Sequence, residues 1–203
     1  MKSTSGSGVT DLRRAQLVQA AYEMISQKGY FNFTVRDIAR AAGLSTGLVH
    51  YYFRNKEDLL LTLFKNMQAN VQQYLREALD RSSDPVERLN IFLDQAFSLP
   101  EREGDYIYLL FDFWSQIKHN EKVRKVNRRL MRSFRDELAG IIRAGVEQGA
   151  FAAGDVDRTA AAVIALVQGI MVQHVSDPEA FNYPELASEL KSKILEMLQV
   201  RPE

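Results

Sequence analysis

A chain of 203 residues holds one large or two small domains, ample for a real core. With 46% hydrophobic and 26% charged residues and no net charge it has the composition of an ordinary globular protein. Its longest unbroken apolar run, Ala160 to Val167, is far short of the roughly 18–20 residues of a membrane span; no cysteine is present, which excludes disulfides and thiol nucleophiles and agrees with a reducing cytoplasm.

The opening MKSTSGSG has no apolar core, so it reads as a flexible arm over residues 1–10 and not as a signal peptide. Leu17, Ala20, Ala21, Met24 and Ile25 give the first helix its buried stripe, and Gly29 ends it. Thr34-Val35-Arg36-Asp37 fits a capping box, in which a hydroxyl caps the helix start and an acid three residues on reaches back. Val35, Ile38, Ala39 and Ala42 form one apolar stripe, and Gly43 sits where a left-handed residue would end that helix. Ser45 or Thr46 then caps a helix carrying Gly47, Leu48, Val49, His50, Tyr51 and Tyr52. A small Ala39, a turn Gly43 and a buried Val49 have the spacing of a helix-turn-helix, whose second helix enters the DNA major groove.

Asn55, with Asp58 three residues on, starts a long helix through Leu60, Phe64, Met67 and Leu75 to about Arg81. Asp84-Pro85 opens the next as N-cap and first-turn proline. Pro100 and Gly104 bracket a loop, and two helices follow over 105–119 and 121–148. Gly149 and Gly154 punctuate a turn before a last pair at 155–175 and 184–198. Period-two alternation is absent over any useful length. The expected fold is therefore all-α with about nine helices. A three-helix DNA-binding head over 11–56 runs through the connecting helix 55–81 into a helical bundle over 57–203. Charge follows that division: residues 1–56 carry eight basic against three acidic side chains, a net of +5, leaving −5 for the rest.

Tyr52-Phe53-Arg54-Asn55-Lys56-Glu57-Asp58-Leu59-Leu60 resembles the signature that closes the DNA-binding domain of the tetracycline-repressor (TetR) family. The run from Gly29 through Thr34, Ile38-Ala39, Ala42-Gly43, Ser45, Gly47 and Tyr52-Phe53 to Lys56 resembles it too, so the likeness covers about the first sixty residues. It implies a cytoplasmic homodimer on a palindromic operator, most simply a repressor released by a small effector. Side-chain chemistry and the resemblance together assign roles in the head. Ser45, Thr46, His50 and Tyr51 are the polar positions for base edges and nearby phosphates, and Gly47 lets the backbone approach the duplex. Arg36 suits a guanine edge or a phosphate, Thr34 and Tyr52 suit phosphate oxygens, and Lys56 is placed to hold a phosphate at a helix start. His50 stands where many relatives have tyrosine, which leaves its contact open.

In the body, Tyr106, Tyr108, Phe111, Phe113 and Trp114 crowd one helix that is apolar nearly all round. Core packing explains such a helix; so does a cavity lined by part of its face. The resemblance favours the cavity, since the family keeps its effector pocket in this region. Phe64, Met67, Phe92, Tyr106, Leu110, Phe113, Trp114 and Gln168 are the candidate lining. Gln168 lies within AAAVIALVQGIMV, where a polar side chain must find a partner. The lining's character favours an apolar or amphipathic effector. Ala161, Ala165 and Gly169 recur every four residues and would let two helices approach closely, within the chain or, as the resemblance implies, across a dimer seam.

Enzyme readings have little footing: His50, His119 and His174 lack metal-ligand spacing, and no cofactor motif is present. The competing readings are a DNA-binding activator, an architectural DNA binder without effector, and a helical ligand-binding or catalytic bundle. Operator double-stranded DNA, a small organic effector and a second copy of the chain are the expected partners, with no membrane.

Overall fold

Helix boundaries in this chain are written in capping side chains. In the computed structural model, which describes residues 5–29, 32–102 and 104–198, ten helices are laid down among the described residues. They are α1 (Ser5–Lys28), α2 (Val35–Ala41), α3 (Thr46–Tyr52), α4 (Lys56–Leu79), α5 (Pro85–Phe97), α6 (Leu99–Arg102), α7 (Gly104–Ser115), α8 (Glu121–Glu147), α9 (Val156–Ser176) and α10 (Tyr183–Met197). No strand occurs among the described residues. Asp84, Asp155 and Asn182 cap α5, α9 and α10, each accepting from the backbone N–H three residues on. Asn55 does the same for α4, accepting from Asp58 N at 2.9 Å, while the Asp58 carboxylate accepts from Arg54 N.

Several boundaries differ from the sequence expectation. Residues 1–4 of the expected arm lie outside the described residues, and 5–10 are helical as the first turns of α1. Extending a packed helix costs little, because each added residue gains a hydrogen bond once the nucleus exists. Ten helices among the described residues agree with the expected nine or so, the added one being the one-turn α6 in the expected loop between Pro100 and Gly104. Pro100 is tolerated as its second residue, where a backbone N–H has no intrahelical partner to lose. Two long helices end early. The chain leaves α4 and α7 through tight i→i−3 bonds such as Ser82 N to Leu79 O and Gln116 N to Phe113 O.

The chain forms two compact units, divided within α4 after Asn70, within α7 after Ile107 and within α8 after Val126. The first unit contains the described residues up to Asn70 together with Tyr108–Val126. In it α1 packs on α2 and α2 on α3, over a core that includes Leu17, Ile38, Val49, Phe53, Leu60 and Phe64. Asn120 ties the α7–α8 corner to the start of α4: its Oδ1 caps α8, accepting from Val123 N, and its Nδ2 donates to Glu57 Oε1 at 2.8 Å.

The second unit is Val71–Ile107 with the described residues from Asn127 on. Here α9 packs on α10, and Tyr183 at the start of α10 donates its hydroxyl to Phe97 O, an end carbonyl of α5, at 2.9 Å. Burial and the charge of Glu101 push the Tyr183 phenol up to about 12. The ring of Phe151 occupies the space where a Cβ on Gly145 would lie, so the turn after α8 folds back tightly onto that helix.

Candidate DNA interface and effector site

The helix-turn-helix is built from three local devices in series. Thr34 caps α2 reciprocally: Asp37 N donates to its hydroxyl at 3.3 Å, and its own backbone N and hydroxyl donate to Asp37 Oδ2 at 2.8 and 2.7 Å. Those hydrogen bonds, with the charges of Lys28 and Arg40, hold the Asp37 carboxyl below its ordinary value. At the other end of α2, Gly43 takes φ +65°, its N–H bonds Arg40 O, and Leu44 N reaches back to Ala39 O. That pair of bonds is a Schellman close, available at low cost because glycine has no Cβ to strain. Ser45 then caps α3, accepting from Leu48 N at 3.2 Å.

These devices fix which face of α3 is buried. Val49 turns inward, while Thr46, Gly47, His50 and Tyr51 are exposed, Tyr51 by 75%. Tyr52 is half-buried and meets the Tyr51 ring edge-on at 5.0 Å. Arg36 is exposed in the first turn of α2; Thr34 and Ser45 are exposed with their hydroxyls engaged in capping. Lys56 is different. Its ammonium donates to Phe33 O at 2.8 Å and lies 3.7 Å from the centre of the Phe33 ring. Partial burial lowers its pKa and the Asp37 charge opposes that shift. A residue expected only as a phosphate contact thus also fastens the segment before α2 to the start of α4. No local sequence signal could reveal a partner 23 residues away.

The eight expected effector-lining residues fall into both units. In the first, Phe64 and Phe113 are fully buried and stacked at 4.0 Å between centroids with planes 13° apart. Leu110 is buried, and Met67 and Trp114 are half-buried, with Trp114 meeting Phe111 edge-on. Tyr108, on the same aromatic helix, is 58% exposed, so α7 is not buried all round. Phe92, Tyr106 and Gln168 belong to the second unit, where Phe92 and Tyr106 are core. Gln168 has its partner within the chain: Nε2 donates to the Met131 sulfur at 3.0 Å.

Sequence reasoning passed over Gln68, the buried polar side chain of the first unit, although it follows Phe64 at the four-residue spacing of α4's apolar stripe. It also passed over an open cleft of about 780 Å³ in the second unit, lined by Ser83, Arg88, Arg132, Asp136 and Glu137 among others. None of the eight expected residues lines that cleft, and its charged walls do not suit an apolar ligand. Among the described residues no three His, Asp or Glu side chains gather as a metal site.

On α9, Ala161 and Ala165 are exposed and Gly169 is half-exposed; a Cβ on Gly169 would meet nothing within 4 Å. Leu166 and Val172 stand out beside them. This is one helix among the described residues long and apolar enough to cross a membrane, with 33% of its most apolar window buried.

Two family profiles match. Residues 17–63 match bacterial regulatory proteins of the tetR family, and residues 85–199 match the C-terminal part of BetI-type transcriptional repressors. The transcriptional regulator BetI of Agrobacterium fabrum is 29% identical over 167 residues, covering 82% of this chain and 79% of its own length. A transcriptional regulator from Saccharomonospora viridis, solved in complex with choline, superposes with a TM-score of 0.82 at 24% identity, covering 90% of this chain and 95% of that one. The regulator FadR from Bacillus subtilis, solved in complex with stearoyl-CoA, gives a TM-score of 0.75 at 23% identity, covering 89% and 96%. With a helix-turn-helix head and a BetI-type C-terminal half matched along most of its length, the chain belongs to the tetR family and is a DNA-binding transcriptional regulator, not an enzyme.

Proposed function

We propose that the protein is a cytoplasmic, homodimeric repressor that sits on a palindromic operator with each α3 in a major groove and leaves it when a small apolar or amphipathic compound binds. The observation that carries this reading is the exposed row Thr46, Gly47, His50 and Tyr51 on a helix capped by Ser45 and buried through Val49. Ser45, Thr46, His50 and Tyr51 read base edges and adjoining phosphates, Gly47 gives the backbone its closest approach, and Arg36, Thr34, Tyr52 and Lys56 hold phosphates. Ser45 can do so while capping, because its hydroxyl accepts from Leu48 N and keeps its proton to donate, whereas the Thr34 hydroxyl must turn from Asp37 to donate to a phosphate.

The outward small residues Ala161, Ala165 and Gly169 support α9 as part of the dimer seam, since an apolar helix face left uncovered within the chain calls for a second surface. A dimer seam also accounts for this helix without a membrane. Phe64, Met67, Leu110, Phe113 and Trp114, all in the first unit, are effector-lining candidates, and so, within the second unit, are Phe92, Tyr106 and Gln168. Relatives solved with choline and with stearoyl-CoA support an effector with a substantial organic part.

The test is selection of bound duplexes from a random DNA pool by the purified protein. Recovered sequences should converge on an inverted repeat whose half-sites lie about 34 Å or more apart. A single unrepeated site, or no convergence, would refute the operator reading. Loss of affinity on scrambling the repeat separates a regulator from an architectural binder.

A further inference from the structure

Among the described residues, Gln68 is the buried polar side chain, at 7% exposure, and its Nε2 has no acceptor. It lies on α4 four residues beyond Phe64, whose ring stacks on Phe113, and eight beyond Leu60, so it continues an apolar stripe. A leucine or methionine would fill such a place without a polar group to satisfy. An amide held there instead keeps two N–H donors out of water, and a buried donor without an acceptor is destabilising. Natural interiors carry few such groups, and those that persist tend to serve a function. From this juxtaposition we infer that Gln68 is the hydrogen-bond donor of the effector site, and that the effector presents a neutral oxygen acceptor, such as the carbonyl of an ester, thioester or ketone, on an apolar chain.

The class of oxygen follows from which charges are buried. No charged side chain is buried among the described residues, so a carboxylate brought beside Gln68 would meet a neutral amide and an aromatic stack with no buried cation to offset its desolvation. A carbonyl loses far less on leaving water, and the amide it meets is already desolvated. The inference rests on the effector reading above and narrows it to a ligand class.

The test titrates the full-length protein with two probes of equal chain length, decane and methyl octyl ketone, following the fluorescence of Trp114, the chain's one tryptophan. The wild type should bind the ketone more tightly, by about 2- to 12-fold, the net worth of one hydrogen bond. Gln68→Leu should lose or reverse that preference while keeping decane binding. Without ligand it should melt higher, by about 2–4 °C or more for a chain of this size, since it removes an orphaned donor. Equal affinities in the wild type, a preference that survives Gln68→Leu, or a lower melting temperature in that variant would each overturn the donor role while leaving an apolar effector in place. Failure of both probes to bind would overturn the apolar-effector reading itself, and the donor role with it.

Discussion

Lys56 carries two tasks that separate cleanly in experiment. Its hydrogen bond to Phe33 O and its seat over the Phe33 ring are internal to the head, whereas phosphate holding is felt only when DNA is bound. Lys56→Ala should therefore lower the stability of the DNA-free protein by about 1–2 kcal/mol, because a carbonyl loses a charged donor at a half-exposed position. It should also flatten the log–log salt dependence of DNA binding by about one unit, with equal losses on all sequences. A stability loss with an unchanged slope would assign the residue to the clamp alone. Asp37 offers a pH-dependent counterpart. Its carboxyl is harder to protonate in the folded chain than in the unfolded one, chiefly through the Thr34 hydrogen bonds. The capping box thus contributes fully above the unfolded value of about 3.9 and fades as pH falls through the depressed folded value. In acid titrations followed by circular dichroism, Asp37→Asn should remove part of the stability lost below about pH 4. Identical acid limbs for the two proteins would mean that the box contributes nothing.

At the scale of elements, what was legible in the sequence is what the chain settles within four or five residues. Thr34 with Asp37, Asn55 with Asp58, and Asp84 before Pro85 declare their helix starts because donor and acceptor are close in sequence. Gly43 declares the turn between α2 and α3 for the same reason. The expected faces of α3 follow from its period, and they agree with the observed burial of Val49 and exposure of Thr46, His50 and Tyr51. The one-turn α6 was hidden because so short a helix has no periodic pattern to read. The partners of Lys56 and Gln168, and the isolation of Gln68, were hidden because they depend on residues distant along the chain or on their absence. Gly43 shows how a local cost can be isolated. Its φ is +65° and a Cβ would meet nothing within 4 Å, so Gly43→Ala adds no clash and pays only for left-handed backbone. The expected loss is about 1–2 kcal/mol in chemical denaturation. A neutral result would mean that the turn relaxes out of the left-handed region.

At the scale of the whole molecule, Gly169 and α4 make separable claims about assembly and signalling. Within one chain Gly169→Ala meets open space and should strengthen α9 by about 0.8–1 kcal/mol, the difference in helix propensity. If α9 is a seam, the same methyl should weaken the dimer, seen as a raised dissociation constant in sedimentation. An unaltered dimer that is simply more stable would remove Gly169 from the interface. Signalling requires a second coupling, between effector and operator. Within the first unit α4 begins at Lys56, just after the recognition helix, and passes Phe64, Met67 and Gln68, so a ligand that displaces those side chains is expected to displace the helix. Linkage makes the coupling reciprocal: a ligand that weakens operator binding must bind the operator complex more weakly by the same factor. Couplings of about 1–3 kcal/mol, or roughly 5- to 150-fold, are typical. Methyl octyl ketone, measured with and without operator DNA, should show such a difference in the wild type, and Met67→Ala and Trp114→Ala should shrink it. Equal affinities in the presence and absence of operator, for a ligand that does occupy the site, would show that α4 transmits nothing and that occupancy and DNA release are unconnected.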